Sequence, residues 1–357
     1  MFGSVFAELR RPFRLDLRDD HFIFGNAQSK DTARASYLTD TMTQIENPLV
    51  SIVLCCHNRR EYLRKTLESV LAQDYSPVEL IIMDDGSTDG SGQLVKEVAP
   101  NARYFFQDRQ GIAAARTRAS NLAKGQYIAY QDDDDLMPAG RITTLLRALL
   151  ENPEAVLATG DYELIGADSQ LIGHRWLPLK DSMEGSIEVI PDGQLAILWP
   201  KVPAVPHTTL FRKADGERVG WFDPNFRYAC SDADFLARLG RLGSIVYVRE
   251  IVSLYRRGHP QIWADDVRSS ISRVQLWSKH LDIVGDTRPE LRDRVRARML
   301  SVLIRLDLNA RKGNIDQHYG WIGWRDQGLA RLDAQQRRRY RWKTGVINPL
   351  KVLLGRD

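Results

Sequence analysis

Short apolar runs alternate with helical patterns between residues 48 and 135, and this alternation restricts the possible folds more than any other feature of the chain. Residues 50–56 and 78–83 are apolar and rich in β-branched side chains, as strands buried on both faces are. Strand-like runs recur at 103–106 and 126–130, and the segments between the runs have helical or alanine-rich patterns. Such alternation predicts an α/β fold with a mainly parallel central sheet and flanking helices.

Two acidic clusters come directly after strands of this predicted sheet. Asp84 and Asp85 follow the second strand, and four consecutive aspartates, Asp132 to Asp135, follow the fourth. Adjacent carboxylates repel one another unless water or a cation separates them, and oxygen ligands of this kind suit Mg²⁺ or Mn²⁺. A solvated turn that caps the next helix is the alternative interpretation. Because ligands of open α/β sheets bind at the carboxyl ends of the strands, the position favours a metal–nucleotide site.

The chain lacks the glycine-rich loops by which many nucleotide-binding proteins hold phosphate, since neither a Walker-type loop nor a G-x-G-x-x-G pattern follows these predicted strands. Phosphate charge must therefore be balanced by a metal ion and by arginine, and Arg109, Arg116 and Arg118 are the nearest candidates. A further acid, Asp232, lies at the start of a helix predicted from Ser231, where capping is the ordinary role of a carboxylate. Periodicity alone does not decide whether Asp232 faces the same pocket as the four aspartates.

Cysteine usage and charge limit the expected compartment and partners. Three cysteines, Cys55, Cys56 and Cys230, cannot form a disulfide framework, and the N-terminus lacks a signal-peptide core. No run approaches the roughly 18–20 apolar residues that a membrane span needs. The 50 Lys+Arg against 46 Asp+Glu give a net charge of +4, which is too mild to indicate a particular partner. We therefore expect a reduced cytoplasmic protein that binds no nucleic acid.

Three segments of the chain differ in pattern. Residues 1–47 show no sustained period and are predicted to form an N-terminal extension, whereas the α/β pattern begins at Pro48 and weakens after about Asp161. From about Gln261 onward the chain is helical in pattern and rich in arginine. Near its end, a basic run at 337–343 precedes an apolar stretch. This tail is expected either to dock on the domain as a helix or to rest on an anionic membrane surface.

Seven motifs occur in an order and at intervals that resemble the family 2 glycosyltransferases. They include Asp84-Asp85-Gly86-Ser87, the four aspartates after the fourth strand, and Ser231-Asp232-Ala233-Asp234. Each motif alone is weakly specific, whereas the complete ordered series is specific. The motifs occupy residues 50–59, 84–89, 111–116, 125–135, 219–223, 231–235 and 255–257.

The resemblance covers about residues 48–260 and implies a GT-A fold within them. It implies a nucleotide-binding half over 48–135 and an acceptor-binding half over 136–260, with the helical basic region at 261–357 outside it. It also implies an inverting, metal-dependent enzyme of the hexosyltransferase type, using Mn²⁺ or Mg²⁺. The donor would be a nucleotide-diphosphate sugar, and the acceptor a hydroxyl of a carbohydrate or lipid-linked molecule in cell-surface polysaccharide or glycoconjugate synthesis.

Site residues follow from the resemblance position by position. Asp134 would be the metal ligand of the D-x-D element, and Asp232 would be the general base. Asp234 ranks second as base, and His207 and His259 are weaker candidates because an isolated histidine is more often structural. The donor would be bound by Cys55, Asn58, Asp85, Arg116, Asp132 and Asp133.

Two departures from the family pattern affect these assignments. Ser231 stands where the family has Glu, and the first strand ends Cys55-Cys56-His57-Asn58 where the family often has Thr, Tyr and Asn. Four aspartates in a row also leave the register of the metal ligand open by one residue.

Other classes of protein are weighed by the same motifs. A nucleotidyltransferase also combines an α/β sheet, carboxylates and Mg²⁺, but it usually has a glycine-rich loop with Lys or Arg after the first strand. A non-catalytic nucleotide-sugar-binding protein is a second alternative, although none of the acidic clusters is missing. A hydride-transferring Rossmann enzyme is disfavoured because its glycine fingerprint is absent.

Overall fold

A computed structural model describes residues 47–173, 185–198, 204–226, 229–257, 266–311 and 321–344. The predicted N-terminal extension, the candidate base His259 and the apolar end of the tail lie outside the described residues. Within the described part, one unit begins at Asn47.

The first half of this unit is a four-stranded parallel sheet in the order β3-β2-β1-β4, as the alternation predicts. In the register of β1, Cys55 stands opposite Met83 on one neighbour and Asp132 on the other, so the strand-end motifs meet at one edge of the sheet. The elements are β1 (Val50–Cys56), α1 (Arg60–Leu71), β2 (Val78–Asp85), α2 (Ser91–Val98), β3 (Arg103–Gln107), α3 (Ile112–Leu122) and β4 (Tyr127–Asp132).

Helix α3 brings the arginine motif close to the sheet because its inner face is made of small residues. Ala113, Ala115 and Ala119 are buried on that face, and α3 packs on β1 and β2. Small side chains allow a close helix–sheet approach. The neighbouring Arg116 is therefore buried as well, beside the ends of the strands.

The second half extends the sheet on the other side of β4, in the order β4-β8-β5-β9-β7, with β6 paired to β5. β8 runs antiparallel to both β4 and β5, while β9 is parallel to β5, so the sheet is mixed although most strands share one direction. The elements are α4 (Arg141–Glu151), β5 (Ala155–Ile165), β6 (Leu171–Gly173), β7 (Ile187–Ile190), α5 (Gly193–Leu198), a 3₁₀ turn (Pro206–Thr208), β8 (Thr209–Arg212), α6 (Lys213–Val219), α7 (Ser231–Leu239) and β9 (Ser244–Arg256).

Four helices follow and complete the core, confirming the predicted helical C-terminal region for the residues described. They are α8 (Asp266–Val284), α9 (Pro289–Arg311), α10 (Trp321–Ala330) and α11 (Ala334–Lys343). Their apolar faces join the cluster that also contains α3, α5 and α7. The apolar face of α9 is buried: Leu291, Val295, Met299, Val302, Leu303 and Leu306. Among the described helices, none combines the length and the apolar composition needed to cross a membrane.

Candidate active site

The predicted donor residues converge on the thiol of Cys55 at the end of β1. The pKa of this thiol is raised to about 12, mainly by burial; Arg116 opposes the shift, and the charges of Asp132, Asp133 and Asp85 add to it. The thiol is therefore protonated at neutral pH. Since all four charged groups act on one buried atom, the structure brings these predicted residues together.

Asp85 fixes the loop that leads into α3. Its carboxylate accepts hydrogen bonds from Gln107 Nε2 at 2.7 Å, from the Gln110 amide at 2.8 Å and from the Gly111 amide at 2.8 Å. Gly111 precedes α3 with φ of +93°, a conformation that glycine adopts without strain. Asp85, which is predicted to contact the donor, thus also fixes the backbone at the start of α3, the helix that carries Arg116.

Arg116 is the one arginine of the three phosphate candidates that is buried. Its Nη2 donates to Asp132 Oδ1 at 2.5 Å, and its guanidinium lies 5.5 Å from the ring centroid of Phe222. Burial alone would raise the pKa of Asp132, but Arg116 holds it below its usual value. The charges of Asp132 and Asp232 both raise the pKa of Arg116 against the opposing effect of burial. Arg116 therefore lies within electrostatic range of one carboxylate from each predicted part of the site.

The other two candidates, Arg109 and Arg118, are exposed, and Arg118 donates to Gln107.

Asn58 lies apart from this group, on an exposed loop. Its backbone amide donates to Ser87 Oγ at 3.0 Å, and its side-chain oxygen accepts from the Thr88 backbone amide at 2.8 Å. With φ of +51°, Asn58 adopts a left-handed conformation that Asn tolerates better than most residues. These contacts join the loops that follow β1 and β2.

The four aspartates differ sharply in environment. Asp132, Asp133 and Asp134 are partly exposed, whereas Asp135 is fully buried. Burial and the charge of Asp134 raise the pKa of both Asp133 and Asp135 well above the usual range. Burial and the crowding of like charges therefore disfavour the ionised forms of Asp133 and Asp135.

Asp135 of the acidic loop and His207 form a buried pair. Asp135 Oδ1 accepts from the Arg256 amide at 2.7 Å, and Asp135 Oδ2 lies 3.4 Å from His207 Nδ1 without a hydrogen-bond partner among the described residues. Burial lowers the pKa of His207 to about 4, so its ring is neutral at pH 7. His207 Nδ1 also lies 2.7 Å from Ser253 Oγ.

These groups fit a divalent cation. In the described residues, Asp132, Asp135 and His207 bring ligand atoms within 4.8 Å of one another, a set that does not include the predicted ligand Asp134. A buried carboxylate oxygen without a hydrogen bond and a neutral imidazole are both compatible with cation binding. The sequence did not indicate the pairing of His207 with Asp135, because His207 precedes β8, which is far from the four aspartates in the sequence.

The two acids of α7 have separate surroundings. Asp232 is partly exposed and accepts a hydrogen bond from the amide of Ala233 at 2.8 Å. Asp234 is fully buried, and its carboxylate pairs with Arg238, Lys279 and His280. Asp234 is thus occupied by structural contacts, whereas Asp232 retains access to solvent.

Comparisons with known proteins identify related sequences and a related fold. The family model described as glycosyl transferase family 2 matches residues 51–223. Glycosyltransferase GlyA of Streptococcus pneumoniae is 33% identical over 116 residues, which are 32% of this chain and 16% of that protein. The putative teichuronic acid biosynthesis glycosyltransferase TuaG of Bacillus subtilis is 33% identical over 125 residues, which are 34% of this chain and 49% of that protein. The chain spans less than half the length of either relative.

A solved structure shares the fold. The crystal structure of S. aureus TarS 1–349 in complex with UDP-GlcNAc matches with a TM-score of 0.61 at 14% identity, covering 83% of this chain and 88% of that chain. At this identity the likeness concerns the fold alone. Together, the family match and the shared fold lead to one assignment: residues 51–223 form a family 2 glycosyltransferase domain, and the fold is of the GT-A type.

Proposed function

We propose that this protein transfers a sugar from a nucleotide-diphosphate sugar to an acceptor hydroxyl, with inversion at the anomeric carbon. The observation that carries the proposal is Arg116, which pairs with Asp132 and interacts with Asp232. An inverting displacement needs a site for the leaving diphosphate and a base from another segment of the chain. The shared arginine supports the view that both belong to one site.

The donor is proposed to bind at the strand ends. Cys55, Asn58 and Asp85 would contact the base and ribose, Asp132 and Asp133 would lie near the ribose, and Arg116 would meet the diphosphate. Two observations support this: the charges gathered around the Cys55 thiol, and the TarS structures with UDP-GlcNAc and UDP.

We assign Asp134 as the ligand of Mn²⁺ or Mg²⁺, with Asp132 and Asp133 on the donor. A cation that also contacts the donor needs a ligand that solvent can reach, and Asp134 is partly exposed whereas Asp135 and His207 are buried. The cation, when bound, would stabilise negative charge on the departing diphosphate. In this assignment Asp135 and His207 do not bind the cation but hold the acidic loop in place from the protein interior.

Asp232 is assigned as the general base. The acceptor oxygen attacks the anomeric carbon, its proton passes to the Asp232 carboxylate, and the bond to the nucleotide diphosphate breaks. Asp232 is the better choice within α7 because Asp234 is buried among cationic side chains. A positioned base of this kind typically contributes about 10²–10⁴-fold.

The acceptor is proposed to bind in the half formed by residues 136–260. The name of TuaG supports an acceptor in cell-surface polysaccharide synthesis, and a lipid-linked acceptor would place the enzyme at the inner face of the membrane. The basic C-terminal region is then the candidate for contact with that surface.

A panel of UDP-, GDP- and dTDP-sugars tests the proposal, with release of the nucleoside diphosphate measured in Mn²⁺, in Mg²⁺ and in EDTA. We expect release from one donor class that stops in EDTA, and we expect Asp134→Asn to lose activity by orders of magnitude while keeping the melting temperature. Full activity in EDTA would refute the metal assignment. Pyrophosphate release would instead indicate a nucleotidyltransferase, and a thermal shift without turnover would indicate a binding protein.

A further inference from the structure

The helix that carries Asp232 is held by residues from the C-terminal helices, beyond the segment that the family model matches. Asp234, two residues after Asp232, accepts hydrogen bonds from Lys279 Nζ at 3.0 Å and from His280 at 3.2 Å. Both partners belong to α8. Lys279 Nζ also donates to Asp223 Oδ2 at 2.7 Å, in the segment that leads into α7.

The hydrogen bonds around His280 define which ring nitrogen donates. Arg288 Nη1 donates to Gln194 Oε1 at 2.9 Å, so the Gln194 amide nitrogen faces His280 Nδ1, at 3.3 Å. That nitrogen can only donate, so Nδ1 accepts and Nε2 carries the ring proton. His280 Nε2 therefore donates to Asp234 Oδ1. A continuous chain of buried hydrogen bonds therefore runs from Gln194 of α5 through His280 of α8 to Asp234 of α7.

The first turn of α7 has little local support of its own. Its N-cap residue, Cys230, has φ of +69° and provides no side-chain capping hydrogen bond. Farther along the helix, Arg238 donates to the carbonyl oxygens of Val219 and Trp221 and so ties α7 to the preceding segment. Among the described residues, Asp234 of the first turn forms hydrogen bonds with α8. The orientation of the first turn therefore depends on what Asp234 contacts.

We propose that Lys279 and His280 are positioning residues for sugar transfer, which act through Asp234 to hold the first turn of α7 and the Asp232 carboxylate in place. The proposal rests on the proposed function, since it takes Asp232 as the base. Displacing a catalytic group by about 1 Å can reduce the rate on the order of a hundredfold. The C-terminal helices would thus be part of the catalytic apparatus as well as of the core.

Hydrogen–deuterium exchange of the full chain tests the structural step without any substrate. Lys279→Met removes the cation that joins α8 to Asp234 and Asp223, and we expect faster exchange of the amides at 232–235. Arg331→Met is the matched control, because Arg331 pairs with Asp282 on the exposed side of the same helix at 2.6 Å. Unchanged exchange at 232–235 in both Lys279→Met and His280→Gln, or equal changes in the control, would overturn the proposal.

Kinetics with the donor identified by the nucleotide-sugar panel test the catalytic step. Lys279→Met should lower kcat by roughly ten- to a hundredfold, with the donor KM and the Kd for the free nucleoside diphosphate within about twofold, and Lys279→Arg should restore most of the loss. In an Asp232→Asn background, Lys279→Met should cause no further loss, because the group it positions is gone. An equal loss in both backgrounds would overturn the positioning role.

The exchange and kinetic experiments also distinguish a failure of this inference from a failure of the proposed function. Near-normal transfer by Asp232→Asn would refute the base assignment and with it the catalytic part of this inference. The exchange data would still decide whether α8 orders α7.

Discussion

Asp232 and Asp234 show how two like residues in one helical turn can have different surroundings. Among the described residues, Asp232 has one local hydrogen bond and is partly exposed, whereas Asp234 is buried among three basic side chains. Burial alone would raise the pKa of Asp234, but the hydrogen bond from His280 and the charges of Arg238 and Lys279 lower it below its usual value. Asp234 is therefore a charged structural group, and Asp232 is the proposed base.

Asp232→Asn should reduce sugar transfer by about 10²–10⁴-fold while leaving donor binding and the melting temperature nearly unchanged. The amide keeps the side-chain oxygen that accepts from Ala233 but cannot take a proton from the acceptor. Transfer assays and calorimetric titration with the nucleoside diphosphate would measure both effects. As a control, Asp234→Asn should lower the melting temperature, because it leaves the partly buried Arg238 and Lys279 without their anionic partner. If Asp232→Asn transferred sugar normally and Asp234→Asn did not, the base would be Asp234.

The meeting of the strand-end residues could be predicted, because the carboxyl ends of parallel strands lie at one edge of a sheet. Cys55, Asp85 and Asp132 come together for that reason, and Arg116 reaches them from α3. The contact of His207 with the acidic loop could not be predicted, since it depends on a strand that enters the sheet from a distant part of the chain.

At the scale of elements, the strands and helices up to β4 match the predicted ones to within a few residues, because each is specified by a local pattern. The later strands do not match as well. Residues 245–247 and 252–254 are two short strand-like runs in the sequence but form one strand, β9, and no local pattern predicts β5 or β7. Their pairing is set by neighbours that are distant in sequence, and such contacts leave no local period.

Glu79 on β2 ties several elements together at the edge of the sheet opposite the site. Its Oε1 accepts hydrogen bonds from Ser51 Oγ on β1 and from the Lys124 amide after α3, both at 2.5 Å. Its Oε2 accepts from Arg103 on β3 at 2.6 Å. Burial alone would raise the pKa of Glu79, but these partners lower it below its usual value.

Glu79→Gln should lower the free energy of unfolding at pH 7 by about 1–2 kcal/mol, because one buried acceptor becomes a donor facing Arg103. Since the native pKa of Glu79 is lowered, its contribution is fully present above the unfolded pKa of about 4.3 and disappears as the pH falls through the native value. The melting temperatures of wild type and variant should therefore converge at low pH. Glu97→Gln, which breaks the exposed pair with Arg64, should have little effect at either pH. A difference at pH 7 that persisted unchanged in acid would contradict this account.

At the scale of the whole molecule, the C-terminal helices share one core with the α/β unit and also carry a strongly basic surface. Tyr340 of α11 is buried in that core, while Arg338, Arg339 and Arg341 on the same helix are exposed. The sequence could predict the helices and the basic run from local patterns. It could not predict that α8 would contact α7, because this contact joins residues more than 40 positions apart in the sequence.

The basic surface of α11 predicts binding to anionic membranes. Replacing Arg338, Arg339 and Arg341 by Gln removes three exposed charges but leaves the packing of Tyr340 in place. At about 1 kcal/mol for each basic residue near an anionic surface, the triple variant should bind vesicles containing phosphatidylserine on the order of a hundredfold more weakly than wild type. Binding of the wild type should weaken as salt is added, because counter-ions screen the attraction.

Co-sedimentation with vesicles of defined composition measures this binding, and uncharged phosphatidylcholine vesicles provide the baseline. A matched variant with Arg60, Arg64 and Arg147 replaced by Gln loses the same net charge from exposed positions on the α/β unit. If net charge alone attracted the protein, the two triple variants would weaken equally. If α11 is the contacting surface, only its variant should lose binding, while nucleotide release with a soluble acceptor should stay at the wild-type level. Equal binding by wild type and the α11 variant would instead assign this helix to packing alone.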